Sequence, residues 1–101
     1  PDYNPWRPVT DPVALKTLGK MGEEVCELGS AISRCIIQGV DGKEPVTGKP
    51  NRLWLLEEMA DVAANGQLVV ELLAVTEDEY QFMLERMNSK IAKLREWHRM
   101  A

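Results

Sequence analysis

Apolar residues recur at three- and four-residue spacing in three long stretches of this chain, and no stretch alternates with a period of two. Leu18, Met21, Val25, Leu28, Ile32 and Cys35 form the first stripe. Asp11 followed by Pro12 predicts its N-cap and first helical position. Gly39 predicts its C-cap, with the helix ending near Ile37. Leu55, Met59, Val62, Ala63, Gly66, Val69, Val70 and Leu73 mark a second helix, with Asn51 as its expected cap. Leu84, Met87, Ile91 and Leu94 mark a third. Thr76 to Glu79 reads T-E-D-E, a capping box, with Val75 and Tyr80 placed as a hydrophobic staple. The expected fold is all-α, with three main helices. Between the first two lies GVDGKEPVTGKPN, residues 39–51, whose glycines and prolines predict a flexible loop. It is long for a connector in a small domain, which favours a functional role. Residues 1–12 hold Pro1, Pro5, Pro8 and Pro12 and predict an irregular arm, leaving 13–101 as a single helical domain.

The polar positions inside the helical stretches carry the chemistry. Glu24 and Glu27 are three apart on the first helix, and Glu58 and Asp61 are three apart on the second. Such residues are neighbours on a helix surface, where like charges repel. On a helical wheel Glu24 falls roughly 70° and Glu27 roughly 130° from the centre of the apolar stripe. Glu58 and Asp61 fall roughly 75° and 135° from theirs. The two pairs therefore hold the same relation to their core faces. Side-by-side packing would put Glu24 and Glu58 at the seam, with Glu27 and Asp61 beside it. Four acids in one small volume suit bound hard cations, Mg²⁺ or Mn²⁺, and such cations suit phosphate chemistry. Exposed acids at this spacing are also common on soluble helices, so spacing alone leaves a solvated face as the alternative. Asn65 continues the line of Asp61, and Trp54, Leu68 and Leu72 share it. This second, partly apolar stripe predicts a covering subunit.

Bulk properties narrow the class. At 101 residues with 45% hydrophobic and 28% charged content, the chain is one folded domain at most. Its net charge of −4 argues against nucleic acid or an anionic membrane as the main partner. Cys26 and Cys35 share a predicted helix and stand roughly 13 Å apart along its axis, beyond disulfide reach. Buried thiols in a reducing compartment are expected. No apolar run is long enough for a membrane span and no signal-peptide pattern opens the sequence, so a cytoplasmic location is expected. His98 is the sole histidine, and both acid pairs lack the Glu-x-x-His of carboxylate-bridged di-iron bundles.

Glu23-Glu24-Val25-Cys26-Glu27 followed by Glu57-Glu58-Met59-Ala60-Asp61-Val62 resembles the E-E-x-x-E…E-x-x-D signature of the MazG-like, all-α nucleoside triphosphate pyrophosphohydrolases. Ala31-Ile32-Ser33-Arg34, Ile37-Gln38-Gly39 and Gly48-Lys49-Pro50-Asn51-Arg52 look like the small phage and bacterial members. The resemblance spans about residues 15–97. It implies Mg²⁺ (or Mn²⁺) held by Glu24, Glu27, Glu58 and Asp61. It implies cleavage of NTP or dNTP between the α and β phosphates, giving a monophosphate and pyrophosphate. It also implies a homodimer or dimer of dimers, with a four-helix-type bundle completed between subunits. An acid not fully engaged as ligand would orient the attacking water, and Glu27, farther from the seam, is the first choice.

Substrate phosphates call for donors beyond metal. Lys20 lies one turn before Glu24, and Arg34 lies further along the same helix. Lys49 and Arg52 are favoured, since the loop between the helices would close over a nucleotide. Asn65 is placed to bond a sugar hydroxyl or a metal-bound water, and Trp6 to stack on a base. Trp54 is assigned to subunit packing. Two rival functions remain open: phosphoribosyl-ATP pyrophosphohydrolysis, and a non-catalytic helical module for nucleotide binding or dimerisation.

Overall fold

The computed structural model describes residues 2–100 and is all-α, as the periodicity predicts. Pro1 of the expected arm and Ala101 at the end of the expected domain lie outside the described residues. Helix α1 runs Pro12–Gln38, α2 Asn51–Leu72 and α3 Glu77–Met100. Residues 2–11 have no regular structure.

Local signals set the ends of α1 and the start of α3. The Asp11 carboxylate accepts the Ala14 N–H at 2.9 Å, and Pro12 opens the helix. Gly39, at φ 88°, donates its N–H to the Cys35 carbonyl and stops α1 one residue after the expected end. The T-E-D-E box forms as drawn: the Thr76 N–H reaches Glu79 Oε1 at 3.0 Å, and the Glu79 N–H reaches Thr76 Oγ1 at 3.2 Å. The far end of α2 carries no glycine signal. Ala74 supplies the left-handed residue, at φ 46°, while Val75 N–H bonds Val70 O and Ala74 N–H bonds Glu71 O. This is a Schellman closure built on a residue that dislikes the conformation.

Asn51 is not the cap of α2. Pro50 occupies that position without a side-chain bond, and Asn51 is the first helical residue. Its side chain, 1% exposed, crosses instead to the end of α1, donating to Gly39 O at 3.0 Å and Gln38 Oε1 at 3.3 Å. The loop between the helices is tied by its own main chain. Lys43 and Pro50 form an isolated antiparallel bridge, and the Asn51 N–H bonds Gly42 O at 2.9 Å. Gly42 is required by close approach, because an added Cβ would sit 2.6 Å from Gln38 O.

Antiparallel α1 and α2 are the only helices that pack together among the described residues. Their contact line differs from the apolar stripes. On α1 it follows Thr17, Met21, Glu24, Leu28, Ala31 and Cys35, whereas Leu18, Val25 and Ile32 of the predicted stripe are exposed. On α2 it follows Asn51, Leu55, Glu58, Val62 and Val69, with Met59, Ala63 and Leu73 exposed. Both helices have rotated toward their acids, so Glu24 and Glu58 lie on the seam itself rather than at its edge. The third stripe is not buried either: Leu84 is half-buried, Met87, Ile91 and Leu94 are exposed, and α3 has no buried residue. The radius of gyration is 18.1 Å, against about 13 Å for a compact chain of this length.

Candidate metal centre

Five described residues are buried: Ala31, Cys35, Glu24, Asn51 and Glu58. Three of the five are polar and two are carboxylates, so the centre of this helix pair is built around acids. Glu24 is 7% exposed and Glu58 9%. Their packing partners explain the burial. Neighbours on the line are small or slender, Ala31 and Cys35 on α1 and Val62 on α2, and an added Cβ at Gly66 would stand 3.8 Å from Met21 Cε.

One carboxylate oxygen each from Glu24, Glu27 and Glu58 lies within 4.8 Å of the others. Glu27 is the exposed member. Glu24 Oε1 receives Lys20 Nζ at 3.2 Å, and Glu58 Oε1 receives the Trp54 Nε1–H at 3.1 Å. The second oxygen of each buried acid, Glu24 Oε2 and Glu58 Oε2, has no hydrogen-bond partner. A buried acceptor without a donor costs about 1–3 kcal/mol, more if charged. Two such acids beside a third concentrate negative charge at one point of the helix seam. Glu27 registers it: the negative charge of Glu24 foremost, then desolvation and the charge of Glu58, holds its carboxyl above the ordinary value of 4.5. Lys20 is held above its usual range mainly by its bond to Glu24.

The donor set fits Mg²⁺ or Mn²⁺. The clustered donors are all carboxylate oxygens, Glu24 and Glu58 each keep one buried oxygen without a partner, and Glu27 is open to water for further coordination positions. Asp61 stands outside this group of three and is exposed. Asp61 follows Glu58 by three residues, less than a full turn of about 3.6, so with Glu58 on the seam Asp61 falls to the flank.

Comparison with family models, with curated proteins and with solved structures finds no match.

The remaining predicted residues are distributed unevenly about the centre. Lys20 is at the site, but paired with Glu24 and, at 3.4 Å, with Glu23. Asn65 spends an amide N–H on the Asp61 main-chain oxygen at 2.8 Å. Lys49 is paired with Glu57 at 2.8 Å, which pins the loop against α2. Arg52 is exposed near the start of α2. Trp6 is 79% exposed in the arm, where its main-chain N–H bonds Asn4 Oδ1. Two residues outside the favoured set stand at the centre instead. Trp54 bonds Glu58, and the Arg34 guanidinium covers the Trp54 ring, 4.7 Å from its centroid. A signal for Trp54 was available: it precedes Glu58 by four residues, one helical turn, and indole has a single donor suited to a carboxylate.

Proposed function

We propose that this chain is a Mg²⁺-dependent nucleotide pyrophosphohydrolase, converting NTP or dNTP to the monophosphate and pyrophosphate. The observation that carries the proposal is the pair of buried, partner-lacking carboxylate oxygens of Glu24 and Glu58 facing a third acid, Glu27. Nothing in an ordinary helix seam rewards such an arrangement, and a divalent cation does. The likeness of the two acidic segments to the MazG-like signature supplies the reaction class.

Glu24, Glu27 and Glu58 would hold the metal, with Asp61 on the flank one turn away. Bound Mg²⁺ supplies positive charge to the phosphates and acidifies water. Lys20 and Trp54 fix one oxygen of each buried acid and leave the other open. Glu27, the solvent-exposed member of the three, would orient and deprotonate the attacking water through an oxygen not engaged as a ligand. No side chain serves as nucleophile, so the step is direct hydrolysis.

The proposal includes a second copy of the chain. The chain exposes 8457 Å², whereas a compact monomer of 11.4 kDa exposes about 5,800 Å². The excess is several times the ~800 Å² per partner of a standard interface. Phe82, Met83, Met87 and Ile91 of α3 and Leu68 of α2 are the apolar side chains available to fill it.

Incubation with each nucleoside triphosphate and Mg²⁺ tests the chemistry. Pyrophosphate and monophosphate in equal amounts are expected. Orthophosphate as the first product would rule out α–β cleavage. Binding of nucleotide with no turnover of any substrate would favour the non-catalytic module.

A further inference from the structure

Resting on the metal centre proposed above, we infer that Trp54 and Arg34 act as a coupled pair: Trp54 positions Glu58 for a divalent cation, and Arg34 binds the oxygens of a phosphate group carried by that cation. Trp54 lies one turn before Glu58 on α2. Its Nε1–H takes Oε1 at 3.1 Å and leaves Oε2 buried without a partner. An indole donates one hydrogen bond and accepts none. The bond therefore selects which Glu58 oxygen remains for a ligand, the task that groups behind metal ligands perform elsewhere.

The other face of the device is the ring itself. The Arg34 guanidinium rests 4.7 Å from the indole centroid. Lys20 and Lys49 are each neutralised by a carboxylate, whereas Arg34 forms no ion pair among the described residues. The Glu44 carboxylate is hydrogen-bonded by Thr47 N–H, Thr47 Oγ1 and Val46 N–H, which chiefly hold it below its ordinary range, and the Arg34 charge adds to this without forming an ion pair. A π face holds a guanidinium in place without consuming its in-plane N–H donors, and those donors match two phosphate oxygens at once.

Placement joins the two halves. Glu27 and Arg34 are seven residues apart, two turns along one side of α1. Arg34 also borders an open cavity of about 640 Å³ whose lining includes Cys26, Ser30, Ser33 and Gln38. The Arg34 guanidinium thus stands two turns from Glu27, at the edge of a cavity that none of the three acids lines, and a phosphate chain joining them would run along this side of α1. An extended polyphosphate reaches that far.

Calorimetric titration with Mn²⁺, then with inorganic pyrophosphate at saturating Mn²⁺, separates the two roles. Trp54→Phe keeps the ring under Arg34 and removes the indole N–H. Its Mn²⁺ affinity is expected to fall about 10-fold or more, with pyrophosphate affinity at saturating Mn²⁺ within about twofold of the unaltered chain. Arg34→Gln is expected to do the reverse: unchanged Mn²⁺ affinity and pyrophosphate binding weakened about 10-fold. In a Trp6→Phe/Trp97→Phe background Trp54 is the sole indole, and Mn²⁺ is expected to quench its emission, an effect abolished by adding Glu58→Gln. Circular dichroism reports whether each variant stays helical. Should Trp54→Phe lose its helices, the quenching experiment and Arg34→Gln decide. Unaltered behaviour of either single variant would overturn the role given to that residue while the metal centre stands. Absence of Mn²⁺ binding by the unaltered chain would overturn both.

Discussion

The α1–α2 pair and α3 solve opposite problems. The pair packs, yet what it buries most completely are two glutamates, an asparagine, an alanine and a cysteine. Helix α3 carries Met87, Ile91 and Leu94 at helical spacing, yet all three are exposed. In one region polar groups occupy the interior at a cost of several kcal/mol. In the other, apolar groups remain in water when the chain is alone. On the function proposed above, stability is given up in the first place for a metal site and left unclaimed in the second for a second copy of the chain. The helices of the two regions also form for different reasons. Helix α3 is specified locally, with its capping box, Glu77, Asp78 and Glu79 in the first turn, and His98 and Arg99 in the last, all favourable to the helix dipole. The i, i+3 acids of α1 and α2 oppose their own helices, which need each other.

The sharpest way to break this contrast is to remove an acid. Glu24→Gln and Glu58→Gln should remain helical and lose about 100-fold or more in kcat/KM with Mg²⁺, read by pyrophosphate release. Full activity in either would detach that residue from the site. The α3 side is tested next: Met87→Lys with Ile91→Lys is expected to convert a dimer to a monomer in sedimentation velocity. A chain that is monomeric before the substitutions would remove the role given to α3.

Replacing a seam acid by an apolar residue should reveal the cost of the site. Glu58→Met, tested without metal, is expected to gain about 1–3 kcal/mol in denaturant unfolding while losing metal binding. A loss of stability would mean that the Trp54 bond outweighs the orphaned oxygen. Smaller still is the turn between the regions, where Ala74→Gly should stabilise by about 1 kcal/mol by relieving the φ of 46°.

The finest test is pH. The Glu27 carboxyl is held above 4.5 in the folded chain, chiefly by Glu24. It therefore binds its proton more tightly when folded than unfolded. That contribution to stability is complete below the unfolded value and is lost as pH rises through the folded one. Metal-free Glu27→Gln should accordingly melt above the unaltered chain at pH 7, with the gap closing near about pH 4. A gap that widens on acidification would contradict the crowding of acids.

Much of the secondary structure was written locally. Asp11-Pro12, Gly39 and Thr76–Glu79 act over one turn, and each bond forms where the residues call for it. The Ala74 turn was not legible, because alanine carries no signal for a left-handed conformation. Asn51 was legible as a helix-start residue, but its side chain is spent across space on Gly39 and Gln38. The three-acid cluster was half legible. Spacing brought Glu24 and Glu58 near the seam, and could not tell that Asp61 would stand apart.

The sequence by itself determined three helices, the start of each and the end of α1 to within a residue, and which acids share a helix side, because caps and periodicity are short-range properties. Tertiary structure alone decided how far each helix turns about its axis. Both seams turn onto Glu24 and Glu58, with Ala31 and Cys35 buried beside them. Tertiary structure also set Arg34 of α1 upon the Trp54 ring of α2. Rotation and pairing depend on the shape of the facing helix, which no single stretch of chain contains.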